Sequence, residues 1–142
     1  MEPSTNRRRR IAAALILTSL LVLVPGIRAG AGTTAVPSWR CDYKWRRSTW
    51  QVKKLIRCAA NRWAVPGGPE KALSVAQCES RFNPSAYGGD GTAGVFQQKL
   101  NYWPGRAVAY GFPDWSVFNG RANIIVSIRM AHRYGWSPWG CG

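Results

Sequence analysis

The chain has 142 residues, a formal net charge of +14, 8 tryptophans and a single histidine. Five of its 20 basic and one of its 6 acidic side chains precede residue 32, so the remaining stretch of about 110 residues keeps fifteen against five, a net of +10. That length suits one small domain with one modest core and leaves no room for a second, and the charge favours a polyanionic partner.

Met1 to Arg10 ends in four consecutive arginines, and Ile11 to Val24 is apolar or small throughout before Pro25 and Gly26 break the run. Its 14 residues fall short of the ~20 that a membrane-spanning helix needs. The order predicts a secretory signal peptide over residues 1–31, with cleavage after Ala29 or Ala31 by the general or the twin-arginine route. A short leader over 32–38 and a single domain over 39–142 follow. The expected location is outside the cytoplasm, secreted and associated with the cell wall, with no membrane span after cleavage. Export argues against nucleic acid as the partner and makes anionic cell-wall polymers the natural one.

The exported part contains Cys41, Cys58, Cys78 and Cys141. An even count in such a chain predicts two disulfides, for which three connectivities remain open. No CxxC pair exists and His132 stands alone, so neither a metal nor a cofactor is expected. His132 itself suits the C-terminal end of a helix better than catalysis, because no nucleophile is recognisably paired with it.

Ser48 can cap a first helix whose Val52, Leu55, Ile56, Ala59 and Trp63 recur at helical spacing, with Lys53, Lys54, Arg57 and Arg62 outward. "VPGGP" breaks it, and Pro69 suits the first turn of a second helix reaching about Ser80. "FNPSAYGGDG" supplies the next break, and Gly88 to Phe96 is the only stretch suited to a small hairpin. A third helical segment is expected over Arg106 to Tyr110. Asn119 can cap a last helix that turns Ile124, Ile125, Ile128 and Ala131 inward and stops at Gly135.

Within the second helix, Ala72, Ala76 and Glu79 fall on nearly one face, so burying the alanines carries the carboxylate toward the core or a cleft edge. Partial removal from water disfavours the charged form and keeps the group protonated, as a general acid must be. A surface glutamate paired with Arg81 or Lys71 fits the same periodicity. The other carboxylates are Asp42, Glu70, Asp90 and Asp114. Of these only Asp90 falls in a cleft-type loop, where "GGDGT" is also the sequence of a tight turn.

"AQCES", "FNPSA", a glycine-rich turn and "AGVFQ" in that order resemble the catalytic motif of soluble lytic transglycosylases. "VAQCES" with the ending "GWSPWGC" is similar to resuscitation-promoting-factor domains, of the same lysozyme-like superfamily. Together the likeness runs from Leu73 to Cys141. Phe96 stands where the first family usually has methionine. The resemblance implies a mainly α, lysozyme-like small α+β domain with a minor hairpin at the cleft, stapled by two disulfides. It implies a Cys78–Cys141 bridge, which by exclusion leaves Cys41 with Cys58.

The same resemblance implies Glu79 as the catalytic acid and peptidoglycan glycan strands as the substrate of a monomeric enzyme. Ser80, Phe96, Gln97, Tyr102, Asn123 and Trp139 are the residues expected to bind or support the glycan. Trp103, Trp115, Trp136 and Tyr87 are further rings that could form a sugar platform, although most aromatics in a small domain are core. In the transglycosylase family one glutamate protonates the bridging oxygen between N-acetylmuramic acid and N-acetylglucosamine and then, as base, promotes attack by the 6-hydroxyl. Water attacking instead would make the protein a muramidase, which ordinarily needs a second carboxylate such as Asp90. A catalytically silent, cationic wall-binding or antimicrobial protein is the alternative of a different class.

Overall fold

The computed structural model describes residues 40–142, so the expected signal peptide and leader lie outside the described residues. Four helices and a three-stranded antiparallel sheet make up the domain: α1 (Thr49–Trp63), α2 (Gly68–Ser80), β1 (Tyr87–Gly88), β2 (Thr92–Ala93), β3 (Gln98–Lys99), α3 (Trp103–Ala109) and α4 (Gly120–Tyr134). Among the described residues no helix is long and apolar enough to cross a membrane.

The first and last helices form as their capping residues and periodicity dictate. The Ser48 hydroxyl accepts from the Gln51 N–H at the start of α1, and the Asn119 side-chain Oδ1 accepts from the Arg121 and Ala122 N–H groups at the start of α4. Val52, Leu55, Ile56 and Ala59 of α1 are fully buried, whereas Trp63, expected in the core, is only half-buried at its margin. Helix α1 packs against both α2 and α4, and α4 is buried along nearly its whole length. Cys41 is bridged to Cys58, which ties the segment before α1 to that helix, and Arg121 of α4 donates to the Arg40 carbonyl at 2.8 Å.

Two expectations are corrected. Helix α3 begins at Trp103 rather than Arg106, because Pro104 sits in its first turn, where a missing N–H does no harm, while Trp103 and Ala107 face the core. The expected hairpin over Gly88 to Phe96 is the β1–β2 pair of a larger sheet, since β3 adds a third strand to the far side of β2. The register sets Gly88 opposite Thr92 and Thr92 opposite Lys99, so these three positions form one row across the sheet. Alternation of side chains puts that row on a single face.

Candidate active site

Glu79 lies in the last turn of α2, one residue after Cys78 and with Ala72 and Ala76 of the same helix fully buried. The helix stops there because Arg81 and Phe82 both take left-handed backbone angles, at φ 55° and 66°, and the Phe82 N–H returns to the Ala76 carbonyl. Phe82 is itself buried and anchors that turn. The second disulfide joins Cys78 to Cys141, and the Cys141 N–H donates to Glu79 Oε1 at 3.4 Å. The C-terminal tail therefore adjoins the end of α2 and contacts the carboxyl group directly.

That cleft has a volume of about 420 Å³, and Glu79, Asp90, Gln97, Lys99, Arg106 and Trp139 are among the residues that line it. Burial pushes the Glu79 pKa up from its ordinary value, the Cys141 N–H pulls it part of the way back, and the negative charge of Asp90 adds to the rise. Its position at the negative end of α2 acts in the same direction as burial. No cation is paired with it among the described residues: Arg57 bridges Glu70 and Lys99 bridges Asp90.

Asp90 is held quite differently. Lys99 Nζ lies 2.6 Å from its Oδ2 and the Thr92 hydroxyl 2.7 Å from its Oδ1, and these bonds hold its pKa below the ordinary carboxylate value. The two carboxylates of the cleft are thus driven apart, Glu79 toward the protonated form and Asp90 toward the ionised one. Asp90 also occupies the β1–β2 turn, so it serves the turn and faces the cleft at once.

Gln97 faces the same space. Its Nε2 donates to the Gly94 carbonyl at 2.9 Å, which fixes its orientation and leaves Oε1 2.9 Å from the Thr92 hydroxyl. Thr92 has one proton and two oxygens competing for it, so at any moment one acceptor, on Asp90 or on Gln97, is open to an outside donor. Gly88 keeps this cluster clear: a Cβ there would lie 2.3 Å from the Thr92 hydroxyl and 2.7 Å from Gln97 Oε1.

Of the residues expected at the glycan, Gln97 and Trp139 join Glu79 at the cleft, and the other four support it or lie away from it. Trp139 is largely buried, and its indole N–H donates to the Phe96 carbonyl at 2.9 Å. Phe96 is fully buried, packed against Trp136 and Trp139 at ring separations of 6.1 and 6.3 Å, so its ring belongs to the core beneath the cleft. Asn123 is also fully buried; it accepts from the Phe96 N–H and donates to the Ala93 and Val117 carbonyls. Gly94, at φ 81°, passes directly over that amide, where a Cβ would lie 2.3 Å from Nδ2. Ser80 spends its hydroxyl proton on the Val95 carbonyl at 2.7 Å and joins the end of α2 to the cleft loop. Tyr102 is 58% exposed and does not itself line the cleft, but its ring centroid lies 5.2 Å from the guanidinium of Arg106, which does.

The remaining aromatics divide between core and surface. Trp103 and Trp136 are buried, with their indole N–H groups satisfied by the Trp115 and Pro66 carbonyls, while Tyr87 and Trp115 are exposed. His132 is exposed on α4, with its Nδ1 3.5 Å from the Ala64 carbonyl. Among the described residues no cluster of His, Cys, Asp and Glu could hold a metal ion.

Sequence reasoning missed Arg106 and Gln98. Gln98 is buried, donates to Ser127 of α4 at 2.8 Å and accepts from Arg106 Nη1 at 2.6 Å. Ser127 is 29 residues away in sequence, and no local signal announces such a pairing. Compared with protein families, with curated proteins and with solved structures, the chain matches none.

Proposed function

We propose that this chain is a lytic transglycosylase of lysozyme-like fold that cleaves the glycan strands of peptidoglycan between N-acetylmuramic acid and N-acetylglucosamine outside the cytoplasm. The observation that carries the reading is Glu79: a half-buried carboxyl with no cation partner among the described residues, raised in pKa, in a cleft beside Gln97 and Trp139. Two disulfides, one adjoining the acid, are compatible with an oxidising compartment.

The chemistry follows from the two oxygens of Glu79. The Cys141 N–H rests on Oε1, so the proton of the neutral acid belongs on Oε2, from which it passes to the bridging glycosidic oxygen. As the bridging oxygen takes the proton, its bond to C1 of N-acetylmuramic acid breaks and it leaves as the hydroxyl of N-acetylglucosamine; the same N–H steadies the carboxylate, which withdraws a proton from the 6-hydroxyl as that oxygen bonds to C1 and closes the anhydro ring. Gln97 Oε1 and Asp90 Oδ1, sharing one hydroxyl proton from Thr92, offer an acceptor for a sugar hydroxyl or N-acetyl N–H. The Trp139 ring gives the cleft an apolar wall for a pyranose face.

The test is to incubate the oxidised protein and its Glu79→Gln variant with purified peptidoglycan and identify the soluble products by mass spectrometry. Anhydro muropeptides, one water lighter than hydrolysis products and reduced by about 10²–10⁴ in the variant, are the expected result. Products with reducing ends would instead assign a muramidase in which the ionised Asp90 assists. Release of no product that depends on Glu79 would assign the chain to cationic wall binding.

A further inference from the structure

The cleft does not end at Arg106. A second cavity of about 410 Å³ shares Arg106, Met130 and Pro138 with it and adds Tyr110, Arg133 and Tyr134. No acidic side chain lines this second cavity. Arg106 stands at the junction of the two, half-buried, and among the described residues its guanidinium makes one hydrogen bond, from Nη1 to Gln98. Gln98 is neutral and is itself held by Ser127, so the guanidinium is fixed in place without being neutralised. Neither Arg106 nor Arg133 has a carboxylate partner among the described residues; a tyrosine ring lies beside each guanidinium, Tyr102 and Tyr134 respectively.

A fixed, partly desolvated arginine with unused N–H donors is an incomplete arrangement. Removal from water disfavours its charge, the Gln98 oxygen compensates one donor, and the planar fork is suited to a carboxylate. Arg133 adds a second, exposed charge on the same cavity, and Tyr110 and Tyr134 can supply hydroxyl donors.

The geometry points to a subsite for a carboxylate carried by the glycan, with Arg106 as its fixed ligand and Arg133 as its second charge, next to the position of cleavage. The inference rests on the glycan-cleaving reading for the nature of the polymer, and adds that the enzyme selects acidic over neutral glycans. The carboxylate can come from two sources, the lactyl ether of a stem-free muramic acid or a peptide attached to it, and both present the same group to the guanidinium.

The experiment measures equilibrium binding by oxidised Glu79→Gln protein, so that cleavage does not interfere. The probes are chitotetraose, which has no carboxylate, a stem-free tetrasaccharide of alternating N-acetylglucosamine and N-acetylmuramic acid, and the same tetrasaccharide with peptide stems. An acidic glycan is expected to bind roughly tenfold more tightly than chitotetraose, the factor that one charge-assisted hydrogen bond supplies, and the ratio should shrink as salt rises. Whichever acidic probe shows the preference identifies the source. Arg106→Gln should reduce that ratio to near unity. Arg133→Gln, at an exposed site whose side chain makes no hydrogen bond among the described residues, should reduce it in part and guards against a folding defect in the first variant. Equal binding of all three probes, or a preference unchanged in both variants, overturns the subsite. A preference that depends on Arg106 in a protein that releases no product from peptidoglycan would keep the subsite and discard the enzyme; cleavage without preference would do the reverse.

Discussion

Cys141 holds Glu79 in two ways at once: its N–H donates to the Glu79 carboxyl at 3.4 Å, and its sulfur is bonded to Cys78, the residue before the glutamate. The tail and the last turn of α2 are 63 residues apart in sequence and are joined covalently. The two disulfides should therefore differ in what they do.

Loss of the Cys78–Cys141 bridge by double substitution to serine is expected to destabilise the domain by ~4 kcal/mol and loss of Cys41–Cys58 by ~3, from the entropy of the loops that they close. Chemical denaturation measures both. Glycan cleavage by the folded fraction should drop only when the first bridge is missing, since only that one positions the acid.

The raised pKa of Glu79 fixes the sign of its pH dependence. Cleavage requires the protonated form, so the rate should fall as pH rises through the folded-state value, and Glu79→Gln should abolish that limb together with most of the activity. Stability has the same direction. A carboxyl whose folded pKa lies above its unfolded one contributes stability that is fully present below the unfolded value and lost as pH rises through the folded one. Urea titrations over a pH series should show the parent losing ground to Glu79→Gln, which does not titrate, across that window.

Asp90→Asn separates a charge effect from a chemical one. Removing the negative charge takes away one cause of the raised Glu79 pKa, so the descending limb should move to lower pH while the amide keeps a bond with Thr92. For a transglycosylase the maximal rate should stay within roughly tenfold of the parent, as the lost group does no proton transfer. A collapse of activity at every pH would identify Asp90 as a participant in hydrolysis.

Asn123→Ala leaves one buried donor, on Phe96, and two buried acceptors, on Ala93 and Val117, without their partner. At about 1–3 kcal/mol for each unsatisfied group, the domain should lose about 3 kcal/mol or more, visible as a lower denaturation midpoint. Because the bonded loop carries Gln97, KM for glycan should rise more than kcat falls.

The helices were legible in the sequence because their determinants are local: the caps at Ser48 and Asn119, the apolar spacing along α1 and α4, and the breaks at "PGGP" and Gly135. The face shared by Ala72, Ala76 and Glu79 is likewise a property of one helix, and resemblance alone named the disulfide partners before the fold was known. What only the tertiary structure decided is which groups meet across long separations. It put Phe96 and Asn123 beneath the cleft, joined Gln98 to Ser127, and left Arg106 without a carboxylate partner among the described residues at the junction of two cavities. Local sequence sets backbone conformation within a few residues, but burial, and with it the pKa of Glu79, arises only when α2, the sheet and the tail close around the same space.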